Sequence, residues 1–284
     1  MPPETDSTQT QPALEIHPQM LLLSSRVKHV TYHPFVLCSV DDYLPPEIYQ
    51  ALLEHFPNDE YFVGEVHDQK HSHKRFFTSE RNPEVFQEFC GQNLLWRRFF
   101  ECLSSREFSS DLYRLLRRGL IQSRGLSGLR SWRKADDRAA GWARFWTQPF
   151  VPYFEFSQLG AGSHVLPHTD KASKLVSMIL YFPHPSWTKD YAGGTGFYRP
   201  KSARLERNWA NRTVAFEELE LWRGFDFVPN RLVVFLKSHN SYHAVPPIRC
   251  PEDLRRNTLN FNYIAPDGGL VRFARGCRRR FLHV

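Results

Sequence analysis

One short segment of this chain combines an imidazole and a carboxylate at a spacing that suits metal binding. His168 and Asp170 lie two residues apart in the sequence Pro-His-Thr-Asp. On an extended segment, side chains two residues apart point to the same face. A distant histidine, His243, would complete three ligands, and two neutral imidazoles with one carboxylate are typical of non-heme Fe(II) sites. We therefore predict a metal site formed by His168, Asp170 and His243.

A second group of polar residues lies in the segment 255–263, which has the alternating pattern of a strand. One face of that strand would carry Arg256, Thr258, Asn260 and Asn262. A buried arginine without a counter-charge is costly, so this face needs an anionic partner. A dicarboxylate co-substrate would supply that partner, with Arg256 forming a forked pair with the distal carboxylate and Thr258 adding a hydroxyl.

Two of these assignments have rivals in the sequence. His239 lies four residues before His243 and would share its face of a regular strand, so it is an alternative third ligand. Arg255 is an alternative to Arg256. We prefer His243 for its Tyr-His-Ala-Val context, and Arg256 because a polar residue and a hydroxyl residue follow it.

Composition restricts the class of protein. The chain has 284 residues, of which 41% are hydrophobic and 14% aromatic, so it can bury a sizeable core. Its five widely spaced cysteines form no Cys-x-x-Cys pair, which argues against a disulfide scaffold or structural zinc and favours a reducing compartment. We find no signal-peptide pattern and no apolar run of membrane-spanning length. We expect a cytoplasmic protein that does not associate with a membrane.

The net charge of +7 is concentrated in two arginine-rich segments. The first contains eight arginines between Arg114 and Arg144, and the second contains five between Arg272 and Arg280. Such segments are compatible with an anionic partner or with a solvated surface, and we favour the solvated surface. We therefore do not expect nucleic acid as a partner. A non-catalytic basic module that binds nucleic acid or a protein is the alternative from another functional class.

The elements that must position the candidate ligands follow from periodicity. Residues 1–24 have the composition of a disordered leader, and residues 25–284 are expected to form a single domain. Residues 121–141 are rich in glycine, serine and charge, which predicts a flexible excursion, and residues 270–284 form a basic tail. Amphipathic helices are predicted in the supporting region 41–120, over the sequence IYQALLEHF and at Pro83–Gly91, Leu94–Leu103 and Ser109–Leu120.

Short strands dominate residues 143–265. Several short strands with turn signals between them are typical of a sandwich or barrel, and helices followed by strands predict an α+β domain. Both ligand segments would lie at strand ends, where a barrel mouth forms a pocket. The predicted strands are Ala143–Trp146, Pro152–Gln158, Lys174–Phe182, Gly196–Arg199, Thr213–Phe216, Leu232–Lys237 and Asn257–Tyr263.

As a set, these motifs resemble the Fe(II)/2-oxoglutarate-dependent dioxygenases, and most closely their prolyl-4-hydroxylase-like branch. The resemblance covers about residues 152–265 and implies a double-stranded β-helix core, of the jelly-roll or cupin-like kind, with supporting N-terminal helices. It is carried by Pro-His-Thr-Asp at His168, the strand KLVSMILYF, the turn Gly193–Phe197, LVVFLKSHNSYHAV around His243 and RRNTLNFNY around Arg256.

The resemblance also implies a reaction. Fe(II) would be held by the two histidines and Asp170, and 2-oxoglutarate would chelate it with its distal carboxylate on Arg256. With O2, an unactivated C–H bond of a small polar molecule or a peptide would be hydroxylated, releasing succinate and CO2. A protein prolyl hydroxylase is the alternative within this class. Related halogenating enzymes resemble the pattern but lack the carboxylate, so Asp170 favours hydroxylation or another oxidation.

The residues that would contact substrate are predicted more broadly. The segment Thr188–Phe227 is longer than a hairpin needs and is predicted to form part of a lid. The family often places a cofactor-contacting tyrosine in the strand after the iron motif, where either Tyr181 or Leu180 would match. Nothing in the sequence specifies an oligomeric state. The residues predicted for the substrate pocket or lid are His164, Phe197, Tyr198, Arg199, Trp209 and Asn260.

Overall fold

The structure is a computed structural model that describes residues 14–68, 70–137 and 141–266. Within these residues it contains four α-helices and twelve β-strands. The helices are α1 (Pro46–Glu54), α2 (Pro83–Gln92), α3 (Leu94–Leu103) and α4 (Arg106–Arg124). The strands are β1 (Leu37–Val40), β2 (Gly64–Val66), β3 (Lys74–Thr78), β4 (Ser131–Lys134), β5 (Thr147–Leu159), β6 (Val165–His168), β7 (Lys174–Tyr181), β8 (Thr195–Pro200), β9 (Leu219–Phe225), β10 (Leu232–Leu236), β11 (Tyr242–Val245) and β12 (Arg256–Ile264).

Two sheets build the core of the molecule. The larger sheet has the strand order β1-β10-β7-β12-β5-β3-β2, with β4 paired in parallel to the start of β5. The smaller sheet has the order β6-β11-β8-β9 and is antiparallel throughout. Residues of both sheets line one cavity between them. This arrangement confirms the predicted α+β class with a double-stranded β-helix core and supporting helices.

The strand β7 is apolar on both faces because both of its faces are covered. Met178 and Leu180 belong to the large core cluster that the helices share, while Tyr181 packs in a second cluster on the opposite face. Side chains alternate across a strand, so successive residues of β7 reach different sides of the sheet. The β7 strand is therefore covered by helices on one side and by the smaller sheet on the other.

Aromatic residues hold the helices against the larger sheet. Trp96 of α3 is fully buried, its ring lies 4.8 Å from that of Phe156 on β5 in an edge-on arrangement, and its indole nitrogen donates to the carbonyl of His55 at 2.7 Å. Burying one large apolar side chain stabilises a fold by about 1.5–3 kcal/mol. The helices thus give the sheet a rigid backing on the side away from the cavity.

The predicted disordered leader is wrong for residues 14–24. These residues include a 3-10 helix at Pro18–Leu21, and the side chains of Ile16, Leu21 and Leu23 are buried in the main core cluster. The prediction relied on the polar composition of the segment. Burial of these three apolar side chains anchors the end of the segment on the core. Residues 1–13 of the predicted leader lie outside the described residues.

The flexible excursion predicted for residues 121–141 is also wrong in its described part. The helix α4 continues to Arg124, a 3-10 helix follows at Gly125–Leu129, and β4 pairs with β5. Gly128 makes this path possible, because a Cβ there would lie 2.3 Å from the carbonyl oxygen of Leu120. Residues 138–140 lie outside the described residues.

The predicted boundary of the β core at residue 143 is too late. The strands β1 and β3 precede the helices α2 to α4, yet both belong to the larger sheet, where β1 pairs with β10 and β3 pairs with β5. Such pairings join residues far apart in the chain, and local periodicity carries no information about them.

Several arginines of the first basic segment make contacts within the fold. Arg124 donates to the carbonyl of Lys174 at 3.4 Å, Arg130 to the carbonyl of Thr147, and Arg133 to the carbonyl of Lys134 at 3.0 Å. Arg118 lies over the ring of Tyr32 at 4.8 Å. These contacts give the arginines an intramolecular role. Arg138, the side chain of Arg144 and the basic tail 270–284 lie outside the described residues.

The helices are those of a packed globular core. Among the described residues, no helix combines the length and the apolar character that crossing a bilayer requires.

Replacing Asp111 with alanine is expected to release the N-terminal segment. The buried Asp111 carboxylate accepts hydrogen bonds from the backbone N–H of Leu23 at 2.7 Å and of Ser24 at 3.0 Å, and from the Ser24 hydroxyl. Leaving buried donors unpaired costs about 1–3 kcal/mol, so we expect unfolding stability to fall by that amount. Proteolysis should then cleave within residues 14–30 first. The control Glu107→Ala, an exposed acid on the same helix, should change neither measurement.

Candidate metal centre

Three buried side chains meet at one side of the cavity. His168 is the last residue of β6, and His243 of β11 lies directly opposite it in the antiparallel pair. The Nε2 atoms of both histidines lie 3.5 Å from oxygens of Asp170, one histidine at each oxygen. The ligand atoms of all three residues lie within 4.8 Å of one another. The structure thus brings together the three residues predicted as ligands.

Both imidazoles are oriented by their own backbone. The Nδ1 of His168 lies 2.9 Å from the carbonyl of Leu166, and the Nδ1 of His243 lies 3.0 Å from the carbonyl of Ser241. A carbonyl accepts only, so each Nδ1 carries the proton and each Nε2 keeps a lone pair. Hydrogen bonding of the second nitrogen in this way fixes the tautomer of metal-binding histidines. Both Nε2 lone pairs face the carboxylate between them.

Asp170 reaches the site through a turn rather than through strand alternation. The strand β6 ends at His168, and Asp170 has a φ of 70°, in the left-handed region. Aspartate adopts this conformation more readily than most residues because its short polar side chain bonds locally. The prediction placed His168 and Asp170 on one face of an extended segment; the two side chains do converge, but a backbone turn produces the convergence.

The protonation states suit metal binding. Burial lowers the pKa of His243 to about 4 and, with the Lys70 ammonium as a second cause, lowers the pKa of His168 well below its usual range. Burial alone would raise the pKa of Asp170, but Lys174 and the histidines hold it well below its usual range. Near neutral pH the site therefore offers two neutral imidazoles and one carboxylate.

This donor set fits Fe(II). Two imidazole nitrogens and one carboxylate on one side of an ion leave positions open on the other side, which is the arrangement used by non-heme Fe(II) oxygenases. Among the described residues, the one bond from a permanent cation to these ligand atoms is that from Lys174 to Asp170 Oδ1 at 3.0 Å. The three residues can therefore hold iron.

Ser177→Ala is expected to weaken metal binding about tenfold, because outer partners that orient a ligand typically contribute 10–100-fold to metal affinity. The Ser177 hydroxyl donates to Asp170 Oδ2 at 3.1 Å and carries no charge, so its removal affects only the orientation of the carboxylate. Titration with Mn(II), read by its electron paramagnetic resonance signal, measures the change. Ser173→Ala is the matched control, since that serine lines the same cavity without bonding to Asp170. Equal affinities for both variants would contradict the assignment.

A buried arginine lies in the same cavity, at the start of β12. Arg256 donates to the carbonyl of Gly193 and, at 3.2 Å, to the hydroxyl of Thr195, and its guanidinium lies 5.4 Å from the ring of Tyr181 and 5.2 Å from that of Phe227. It forms no salt bridge with a carboxylate of the described residues. An ionised group in such a place requires an anion, and the structure leaves room for one.

The surroundings decide the rival assignments. Tyr181 lies on the cavity side and donates from its hydroxyl to Thr195 at 2.7 Å, whereas Leu180 packs on the helix side. His239 stacks near Trp209 with ring centroids 5.0 Å apart and does not join the ligand cluster. Arg255 donates to the carbonyl of Leu254 at 2.9 Å and is partly exposed. The geometry thus favours His243, Arg256 and Tyr181.

Thr258 occupies the face of β12 that its parity with Arg256 predicts. Its hydroxyl lies 3.2 Å from that of Ser157 on the neighbouring strand, and the residue is fully buried. It pairs in register with Tyr181 of β7. Thr258 therefore belongs to the polar row that begins at Arg256, but the cavity lining does not include it, and its contact with 2-oxoglutarate stays a prediction.

One residue of the six predicted for the pocket or lid lines the cavity. Asn260 does so and donates to Glu155 at 2.9 Å, and Phe197 packs beside His243 with ring centroids 6.2 Å apart. The cavity lining does not include Phe197 or the other four: His164 contributes its carbonyl to Ser72, Tyr198 packs against Phe216, Arg199 lies over Trp222, and Trp209 is exposed beside His239. A role for these five residues in a lid stays a prediction.

Part of the predicted lid segment belongs to the smaller sheet. Of the 40 residues of Thr188–Phe227, 13 form the antiparallel strands β8 and β9, and this part of the segment has a structural role. The loop between these strands does reach the cavity, at Asn211. The extra length of this segment indicated function, but hairpin pairing across a long loop is invisible to local patterns.

Two polar residues around the metal ligands were missed by the sequence-based prediction. Lys174 and Ser177 lie four and seven residues after Asp170, and both bond to its carboxylate. The signal was present, because Ser177 is the single polar residue within the apolar run LVSMILYF. A hydroxyl in such a run is typical of a strand face that bonds a polar group.

Comparison with known proteins gives one family match. Residues 154–264 match the 2OG-Fe(II) oxygenase superfamily, a range that includes the three candidate ligands and Arg256. Comparison with curated proteins gave no match.

Solved structures with a similar fold include two prolyl hydroxylases. A Pseudomonas putida prolyl-4-hydroxylase is 16% identical, with a TM-score of 0.46, over 88% of this chain and 98% of that one. A Trichoplax adhaerens prolyl hydroxylase in complex with a hypoxia inducible factor peptide is 13% identical, with a TM-score of 0.43, over 87% and 89%. The 2-oxoglutarate-dependent epimerase SnoN of nogalamycin biosynthesis is 10% identical, with a TM-score of 0.45, over 86% and 79%.

Proposed function

We propose that this protein, whose residues 154–264 match the 2OG-Fe(II) oxygenase superfamily, uses Fe(II), 2-oxoglutarate and O2 to hydroxylate an unactivated C–H bond of a small polar molecule or a peptide. Succinate and CO2 are the co-products. The observation that carries the proposal is the combination, in one cavity, of the ligand cluster at Asp170 with a buried Arg256 that has no carboxylate partner among the described residues.

In this proposal His168, Asp170 and His243 hold Fe(II), and Arg256 with Thr258 holds the distal carboxylate of 2-oxoglutarate. Bound iron supplies the chemistry that couples decarboxylation of 2-oxoglutarate to oxidation of the substrate. The chain provides the orientation. The hydrogen bonds from Nδ1 to the backbone keep the Nε2 lone pair of each histidine directed into the cavity. Lys174 and Ser177 hold the Asp170 carboxylate between the two histidines.

The residues around Arg256 orient its guanidinium to bind a ligand carboxylate. The Thr195 hydroxyl accepts hydrogen bonds from both Arg256 and Tyr181. This contact fixes one side of the Arg256 guanidinium, and the remaining N–H groups of the guanidinium are available for a ligand. The rings of Tyr181 and Phe227 cover the guanidinium and exclude water. Charge-assisted bonds are stronger in such surroundings than in water.

The prediction of a cytoplasmic location stays part of the proposal. Four cysteines, Cys38, Cys90, Cys102 and Cys250, are unpaired, which is compatible with a reducing compartment. The intramolecular contacts of Arg118, Arg124 and Arg133 do not support the alternative of a non-catalytic basic module.

The test is stoichiometric loading under anaerobic conditions. We expect one Fe(II) per chain and, on addition of 2-oxoglutarate, a visible charge-transfer band that requires both components. On admitting O2, 2-oxoglutarate should be converted to succinate, and a screen of metabolite and peptide pools by mass spectrometry should find a substrate that gains one oxygen. A protein that takes up no Fe(II) in the absence of O2 would contradict the proposed function.

A further inference from the structure

The cavity carries more charge than the metal and 2-oxoglutarate require. Its volume is about 660 Å³, and its lining includes five cationic side chains besides that of Arg256. Arg81 and Lys171 lie on the exposed rim, with Glu80 beside them in the same lining. The inner part of the lining contains three half-buried lysines and two carboxylates, namely Lys70, Lys74, Lys174, Glu155 and Asp170.

Both inner carboxylates already have their own partners. Lys174 donates to one oxygen of Asp170 and Ser177 to the other. Lys74 donates to Glu155 Oε1 at 2.6 Å, and this ion pair is only about 15% exposed, at 14% and 16% for the two side chains. Asn260 shares Oε1 and Tyr153 donates to Oε2. Each inner carboxylate thus already has a lysine partner, and Asp170 is in addition a proposed metal ligand.

Lys70 is therefore the remaining inner lysine, and it has no carboxylate partner among the described residues. Burial lowers the pKa of Lys70 to about 8, and the nearby Asp170 opposes this effect. The ammonium stays mostly charged at neutral pH while it is largely removed from water. A desolvated cation without a counter-ion is unfavourable, and a bound anion would offset that cost.

The backbone holds Lys70 beside the metal ligands. The carbonyl of Lys70 accepts from the N–H of Leu166 at 2.8 Å, and its N–H donates to Asp68 at 2.8 Å. His71 forms a bridge with Val165, so this segment lies along β6, the strand that ends at His168. These bonds fix the backbone position from which the Lys70 side chain enters the cavity lining.

We propose that the substrate of this enzyme is a small organic anion, whose carboxylate or phosphate group is bound by the ammonium of Lys70 beside the metal ligands. The inference rests on the proposed function, because Arg256 and the iron account for both carboxylates of 2-oxoglutarate. The anion at Lys70 must then belong to the substrate. A volume of about 660 Å³ suits a compact molecule.

A second polar group in the cavity lining supports a polar substrate. Asn211 lines the cavity with a backbone φ of 56°, and its Oδ1 is buried without a hydrogen-bond partner among the described residues. Buried polar atoms are normally bonded, so an unpartnered one in a cavity indicates a ligand that supplies the bond. Lys70 would thus bind the anionic end of the substrate and Asn211 a neutral donor.

The experiment compares anionic probes with neutral probes of the same shape. The full chain is loaded with Mn(II) and 2-oxoglutarate, which prevents turnover, and cyclohexanecarboxylate is titrated against cyclohexanecarboxamide, and cyclohexyl phosphate against cyclohexanol. Paramagnetic broadening of the probe protons by Mn(II) reports binding beside the metal. We expect at least one anion to bind about tenfold more tightly than its neutral partner, the effect of one charge-assisted hydrogen bond. The favoured pair distinguishes a carboxylate from a phosphate.

Two variants connect the preference to Lys70. Lys70→Gln keeps a polar hydrogen-bonding group without the charge and should bring the two affinities of each pair to within about twofold, since the charge-assisted bond is lost. Lys189→Gln removes an exposed charge outside the cavity and should leave the preference unchanged. A wild-type protein without preference, or a Lys70→Gln variant that keeps it, would overturn the proposal. Weaker binding of 2-oxoglutarate by the Lys70→Gln variant would also overturn the proposal.

The same samples separate this inference from the proposed function. Mn(II) uptake and 2-oxoglutarate affinity are measured before any probe is added. If either component fails to bind, the oxygenase function is contradicted. If both bind and the anions show no preference, only the substrate inference is contradicted.

Discussion

Asp170→Asn is expected to abolish Fe(II) uptake while leaving the fold intact. Among the described residues, Asp170 is the one anionic member of the ligand cluster with His168 and His243, and its replacement removes both the charge and a ligand oxygen from the site. Changes to outer partners already cost 10–100-fold in metal affinity, so removing a direct ligand should exceed about 100-fold. Metal content by elemental analysis and succinate formation should both fall to background.

Asparagine is the chosen substitution because it should not disturb the backbone conformation at position 170. Asp170 has a φ of 70°, a conformation that asparagine and glycine accept more easily than alanine. Asparagine also keeps an oxygen for the Ser177 hydroxyl. The thermal midpoint of the metal-free protein should change little, and Asp170→Gly should behave in the same way toward metal. An asparagine variant with wild-type Fe(II) affinity would show that the ion is held elsewhere.

Arg256→Met is expected to raise the dissociation constant for 2-oxoglutarate by about 100-fold, because two charge-assisted hydrogen bonds of about 1.5 kcal/mol each would be lost. The guanidinium is buried and has no carboxylate partner among the described residues, so the co-substrate is the anion that fits it. Binding should be followed calorimetrically with Mn(II) in place. Mn(II) affinity without 2-oxoglutarate should stay within about twofold of wild type, since the arginine is not among the ligands.

Arg255→Met is the matched control for this prediction. Arg255 is adjacent in sequence and partly exposed, and it donates to the carbonyls of Glu252 and Leu254 rather than into the cavity. Its loss should leave 2-oxoglutarate affinity unchanged. If Arg255→Met weakened binding and Arg256→Met did not, the choice between the two arginines would be reversed. Arg256→Met should also lower stability by about 1–3 kcal/mol, because Gly193 and Thr195 lose a buried donor.

The strands and helices were largely predictable because their signals are local. Predicted helices at Pro83–Gly91 and Leu94–Leu103 correspond to α2 and α3, and the apolar run at Lys174–Phe182 corresponds to β7. Each depends on side-chain periodicity within a few residues. Local periodicity did not predict the segments whose structure depends on contacts with distant residues. Residues 14–24 are fixed by Asp111, and β4 is fixed by its pairing with β5.

The polar residues around the site were also predictable only in part. Alternation along β12 predicts that Arg256 and Asn260 share one face of the strand, and both side chains line the cavity. The length of the segment Thr188–Phe227 suggested Arg199 and Trp209 as pocket or lid residues, and neither lines the cavity. The difference is that the polar face of β12 turns toward the interior, whereas Arg199 lies against Trp222.

The chemical types at the centre of this protein could be read from the amino-acid sequence: two imidazoles, one carboxylate and one arginine, in an order that matches a known family. Which of these side chains meet depends on the three-dimensional fold. His168 and His243 become neighbours through the register of β6 with β11, and Asp170 joins them through a left-handed turn. Lys70, far away in sequence, reaches the same cavity by lying along β6. Chain proximity cannot specify such contacts, because they arise from sheet pairing between distant segments.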